Sequence, residues 1–130
     1  MVGKYLKDIG VKKGETPQTW YHDREDPREE KWAKQRLIYG FDDRETWSLD
    51  HTFCLWIYER LMMFKEVNII DTDFHKYEFK GREITFTECI EIMLEGFRIG
   101  IEGHDYKEDK YEKIDDAFKV FALCHSELWW

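Results

Sequence analysis

Apolar and polar positions along this chain follow two different periods. From Trp47 to Glu66, WSLDHTFCLWIYERLMMFKE, large apolar residues fall on every side of a helix. Phe53, Trp56, Ile57 and Phe64 occupy one side, and Cys54, Leu55, Tyr58 and Met62 cover the rest. A helix apolar all round is either a membrane span or the centre of a bundle. Asp50, Glu59, Arg60 and Lys65 interrupt the run, which excludes a span. The expectation is a central helix with Trp56 at its middle, enclosed by three neighbouring helices.

A cleaner helical period follows. Thr85 and Glu88 have the spacing of a capping box. Phe86, Ile90, Met93, Phe97 and Ile101 then make an apolar stripe, opposed by a charged stripe of Glu88, Glu91, Glu95, Arg98 and Glu102. In the last helix Tyr111, Ile114, Phe118, Phe121, His125 and Leu128 recur in steps of three and four, as a packing seam does. Upstream, DPREEKWAKQRLIYG predicts a peripheral helix with Asp26 as N-cap, Pro27 at its first position and Gly40 as terminator. Between the central and third helices the period drops to two. Phe74, Lys76 and Glu78 alternate against His75, Tyr77 and Phe79, and Lys80–Gly81 marks a hairpin turn.

These elements predict a mainly α fold, a compact bundle of about four helices with one short β-hairpin near residues 74–84. Residues 1–24 read as an N-terminal arm, with a short helix from Lys4 to Ile9 and with Trp20 and Tyr21 pinning it to the body. Residues 25–130 read as a single helical domain.

Charge narrows the partners. A net charge of −8 opposes a broad basic surface, so no direct nucleic-acid contact is expected and basic protein partners are favoured. Cys54, Cys89 and Cys124 lie in apolar patterns without a CxxC pair, as buried thiols of a reducing compartment do. No apolar leader with a cleavage site opens the chain, so a cytoplasmic protein without membrane contact is expected.

Three groups of residues are candidates for chemistry. Asp71, Asp73 and His75 would share one face of an extended strand, an arrangement that suits three ligands of a hard or borderline cation; the plainer reading is a charged edge strand. Glu88-x-x-Glu91, followed after 20 residues by Glu112-x-x-Asp115, resembles the ExxE…ExxD signature of the all-α nucleoside-triphosphate pyrophosphatases of the MazG type. That resemblance implies four carboxylates holding Mg²⁺ against substrate phosphates; the plainer reading is a solvated acidic stripe. The terminal Trp129 and Trp130 either cap the bundle or enter an interface with a partner or a second copy. No G-x-S-x-G, P-loop or Gly-rich phosphate cradle is present, and no cofactor is expected outside the Mg²⁺ reading.

The segments YGFDDRETWSLDHTF, ERLMMFKE, DFHKYEFKGREITFTECIEIMLE and the closing ELWW together resemble a group of small proteins of bacteriophages, prophages and related Gram-positive genomes. The likeness covers Arg36 to Glu95 and the final helix. It implies an accessory protein of a mobile element inside the bacterial cell, and it brings no catalytic residues. The expectation is a non-enzymatic binding protein that inhibits a host or defence enzyme. Glu88, Glu91 and Glu95 would meet a basic surface, and Trp129 and Trp130 would anchor it.

Overall fold

The computed structural model describes residues 2–19, 25–68, 73–102 and 108–129, with Gln18 and Glu108 described in backbone only. Trp20, Tyr21, Asp71 and Trp130 lie outside the described residues. Among the described residues the fold is mainly α with one two-stranded antiparallel hairpin, and no helix is long and apolar enough to cross a membrane. The chain divides into two compact units, Met1–Leu55 and Trp56–Trp130.

In the first unit, α1 (Lys4–Asp8) buries Tyr5 and Leu6. The helix α2 (Glu29–Tyr39) takes Arg28 as N-cap, two residues later than the sequence pattern places it. Asp26 still accepts the Arg28 backbone N–H at 2.8 Å, the side-chain bond by which a capping residue holds the start of a helix. Gly40 ends α2 in the left-handed region at φ 86°, its N–H on the Arg36 carbonyl, which is the expected terminator. Only Trp32 of α2 is buried, so this helix is peripheral, as its sparse apolar pattern predicts. A 3-10 turn, Asp43–Thr46, follows.

In the second unit, β1 (Lys76–Phe79) pairs with β2 (Arg82–Thr85), Tyr77 facing Ile84 and Glu78 facing Glu83. Lys80 and Gly81 have φ of 50° and 76°, the paired positive values that a tight primed turn requires. The helix α4 (Phe86–Glu102) starts at the capping box: the Glu88 N–H donates to Thr85 Oγ1 at 3.1 Å, and the Thr85 N–H to Glu88 Oε1 at 3.2 Å. All five residues of its apolar stripe are buried.

The helix α5 (Glu108–Cys124) runs antiparallel to α4, with the free thiols of Cys124 and Cys89 in hydrogen-bond contact at one end and Lys113 paired with Glu95 nearer the other. Their crossing is close at Gly96, where a Cβ would lie 2.3 Å from the Lys113 carbonyl oxygen and 2.5 Å from Ala117 Cβ. That approach moves the seam. Ala117, Val120 and Cys124 are fully buried, Ile114, Phe118 and Phe121 are half-buried, and Tyr111 and His125 are exposed. The large-residue seam expected along α5 is corrected by one position, because small side chains take the line where the backbones meet.

The central helix α3 (Leu49–Val67) also departs from expectation. Cys54, Leu55, Ile57, Tyr58 and Leu61 are buried, but Trp56 is 46% exposed, and Arg60, Met63 and Val67 on the same face are exposed as well. This helix is therefore covered on one side and not enclosed. Trp56 is shielded within its own helix: the Arg60 guanidinium sits 4.4 Å from its ring centroid and donates to the Trp56 carbonyl at 2.9 Å.

Candidate functional site

One local device, Asp-x-Arg, occurs twice beside Trp32. Asp26 Oδ1 accepts the Arg28 backbone N–H at 2.8 Å and Nε at 3.1 Å, while Oδ2 accepts Nη2 at 2.9 Å. Asp42 and Arg44 repeat the geometry, at 3.2, 2.9 and 2.8 Å. Both guanidiniums lie over the Trp32 ring, 4.7 and 4.0 Å from its centroid. The hook at Asp42 is buried and the one at Asp26 faces solvent, its Arg28 side chain 62% exposed. Hydrogen bonding from the Arg28 side chain holds the Asp26 carboxyl below the usual aspartate range. At Asp42 burial pushes the carboxyl up, but hydrogen bonds from Arg44 and Arg36 outweigh it and the net shift is downward.

A second set of bonds ties α2 to the turn after it. Trp32 Nε1 donates to Asp43 Oδ1 at 3.0 Å, Lys31 pairs with Asp43 at 2.7 Å, and the Asp43 N–H donates to Gln35 Oε1 at 2.9 Å. Arg36 bridges Asp42 at 2.7 Å and also pairs with Glu29. Against this scaffold opens a cleft of 430 Å³, within the range of small-molecule sites. Arg28, Arg44, Trp32 and Asp26 line it, as do Lys13 and Gly14. Trp47, 59% exposed, lines it too. Thr19 fixes the turn that carries Lys13: its hydroxyl accepts the Gly14 N–H at 3.0 Å and donates to the Thr16 carbonyl at 2.9 Å. Accessible cations suit an anionic group, and an exposed indole suits a flat ring carried by the same ligand.

The acidic row expected to face a partner is engaged within the chain. Glu88 pairs with Arg82, Glu91 with Lys65 and Glu95 with Lys113, at 2.9, 2.6 and 2.7 Å. Glu112 shares Lys80 with Asp116, at 2.7 and 2.8 Å, and Asp115 is exposed. In the antiparallel register Gly96 meets Lys113 and Ala117, which sets Asp115 level with Gly96 and Glu112 further from Glu88 and Glu91, and no three of the four acids are grouped to hold a metal. The four acids of the ExxE…ExxD pattern do not converge, so they make no shared Mg²⁺ cage.

Of the proposed cation ligands, Asp71 lies outside the described residues, and Asp73 and His75 each have other neighbours. Asp73 Oδ1 accepts the Thr87 N–H at 2.9 Å and its hydroxyl at 2.7 Å, capping the first turn of α4, and these bonds lower its pKa. His75 lies 3.9 Å from Glu127, with its ring 4.2 Å from that of Phe74. Among the described residues no group of three His, Cys, Asp or Glu side chains is placed to hold a metal. Trp129 is exposed. The thiols are buried: burial pushes Cys54 up to about 12, and the hydrogen bond to Cys89 together with burial raises Cys124.

The cleft has no counterpart among the sites expected from sequence, which assigns Asp26 to a cap and gives Arg28 and Arg44 no role. The signal was present as Asp-Pro-Arg at 26–28 and Asp-Asp-Arg at 42–44, flanking one buried Trp. No protein-family model, curated protein or solved structure matches this chain.

Proposed function

We propose that this chain is a non-enzymatic protein-binding accessory protein of a phage or other mobile element, which docks on a basic host or defence enzyme and inhibits it. The observation that carries the binding reading is the apolar last turn of α2. Leu37, Ile38 and Tyr39 are 86%, 70% and 66% exposed, and the exposed Phe41 ring lies 6.3 Å from that of Tyr39. A contiguous cluster of this kind gains free energy when a partner removes it from water. A shallow groove beside it runs along α2 past Glu30, Lys31, Lys34 and Gln35 to Ile38 and Tyr39, supplying a polar rim of mixed charge.

Charge supports a basic partner. Residues 56–130 hold 17 acids against 10 Lys and Arg, whereas residues 1–55 hold 11 against 10. An acidic excess of that size speeds encounter with a basic surface, and apolar anchors then set the lifetime. The mobile-element setting and the inhibitory outcome rest on the sequence resemblance.

Affinity capture with the full chain from bacterial host lysate tests this reading, beside a Leu37→Asp/Ile38→Asp variant whose circular dichroism is unchanged. One stoichiometric partner is expected, weakened by salt and lost with the variant. Capture indifferent to the variant overturns the reading. So does turnover of nucleoside triphosphates with Mg²⁺ that disappears in Glu91→Gln.

A further inference from the structure

We infer that the cleft beside Trp32 is a binding site for a mononucleotide, with the phosphate between Lys13 and Arg28 and the base against Trp47. This is independent of the α2 surface and of any protein partner. Three features of the cleft point to that ligand class.

The first is its charge. In a chain of net −8, Lys13, Arg28 and Arg44 line one cavity of 430 Å³ with Asp26 as its one lining acid among the described residues. Arg44 is buried and committed to Asp42, so it contributes field and rigidity. Arg28 is accessible, and Asp26 grips its Nε and Nη2 edge, which leaves the Nη1 N–H groups to a phosphate. The second is the exposed indole of Trp47, a flat face within the same cleft. Every nucleobase has a π-face that such a ring accepts. The third is preorganisation. The buried Asp42–Arg44 hook, the Trp32–Asp43 bond and the Thr19–Gly14 bond hold the walls before any ligand arrives.

Asp26 makes the site testable in an unusual direction. Its ionised carboxylate opposes an incoming phosphate and holds Arg28. Asp26→Asn keeps the Oδ1 acceptor of the Arg28 backbone N–H and Nε, removes the charge, and exchanges the Oδ2 acceptor of Nη2 for an amide donor, which releases that edge of the guanidinium to the phosphate. This substitution should strengthen binding.

The experiment is isothermal calorimetry on the full chain with the four ribonucleoside 5′-monophosphates, inorganic phosphate and free nucleosides as separate arms, supported by tryptophan quenching. At least one nucleotide is expected to bind, with phosphate alone and nucleoside alone each about tenfold weaker or more. Trp47→Ala should weaken the nucleotide about tenfold and leave phosphate binding unchanged. Lys13→Ala should weaken both, and Asp26→Asn should tighten both by about threefold or more. Circular dichroism confirms that each variant is folded. The inference is overturned if no nucleotide gives heat or quenching. It also fails if phosphate alone binds as well as the nucleotide, or if Asp26→Asn leaves affinity unchanged or lowers it.

Discussion

Asp42 and Asp26 make the same three bonds to an arginine two residues on, yet burial gives them different weights. Asp42 and its Arg44 are almost wholly out of water. Asp42→Ala would leave that guanidinium buried without its carboxylate, at a cost of about 3–5 kcal/mol, read from the denaturant midpoint. Asp26→Ala should move that midpoint far less, because Arg28 regains water. The pH response follows from the sign of the shift. Asp42 has a folded pKa below its ordinary value of 3.8, so its stabilising contribution is complete above that value and is lost as pH falls through the folded pKa. Near-ultraviolet circular dichroism, which senses the Trp32 environment, should therefore hold steady down to about pH 4 and collapse below it. Collapse well above that pH would assign the loss to other groups.

At the scale of elements, the crossing of α4 and α5 depends on the missing side chain at Gly96. A methyl group there meets the Lys113 carbonyl oxygen, which is backbone and cannot rotate aside. Gly96→Ala is expected to force the helices apart and cost about 1–3 kcal/mol despite the better helix propensity of alanine, read by thermal denaturation. Asp73→Ala removes an added acceptor from the first turn of α4, while the Thr85–Glu88 box stays, and should cost about 1 kcal/mol, again read by thermal denaturation. Where structure is specified locally, the sequence is a good guide. Thr85 and Glu88 bond each other, Lys80–Gly81 turns the hairpin, and Gly40 ends α2, because each signal involves residues within a few positions. The exposed face of α3 was not legible, since periodicity marks Trp56 and Met63 as apolar but does not count the neighbours available to cover them. The α5 seam was misplaced for a related reason: nothing around Tyr111 or His125 records that Gly96 draws the helix in along Ala117. The cleft is not legible in the sequence, because it requires Trp32 to meet two hooks and the turn at Lys13, residues that are distant in the chain.

At the scale of the whole molecule, charge is unevenly shared. The first unit is nearly neutral and carries the cationic cleft, while the second holds most of the excess acid. Association with a basic partner should accordingly slow as salt rises, whereas dissociation, set by the apolar end of α2, should change little; stopped-flow measurement separates the two. The three thiols add a different consequence. Cys54, Cys89 and Cys124 are all sealed from solvent, so an alkylating reagent finds them only after the surrounding structure opens. Their rates of modification, followed by mass spectrometry, become a set of internal clocks. Cys89 and Cys124 face each other across one helix pair and should be labelled together, while Cys54, in another part of the chain, keeps its own time.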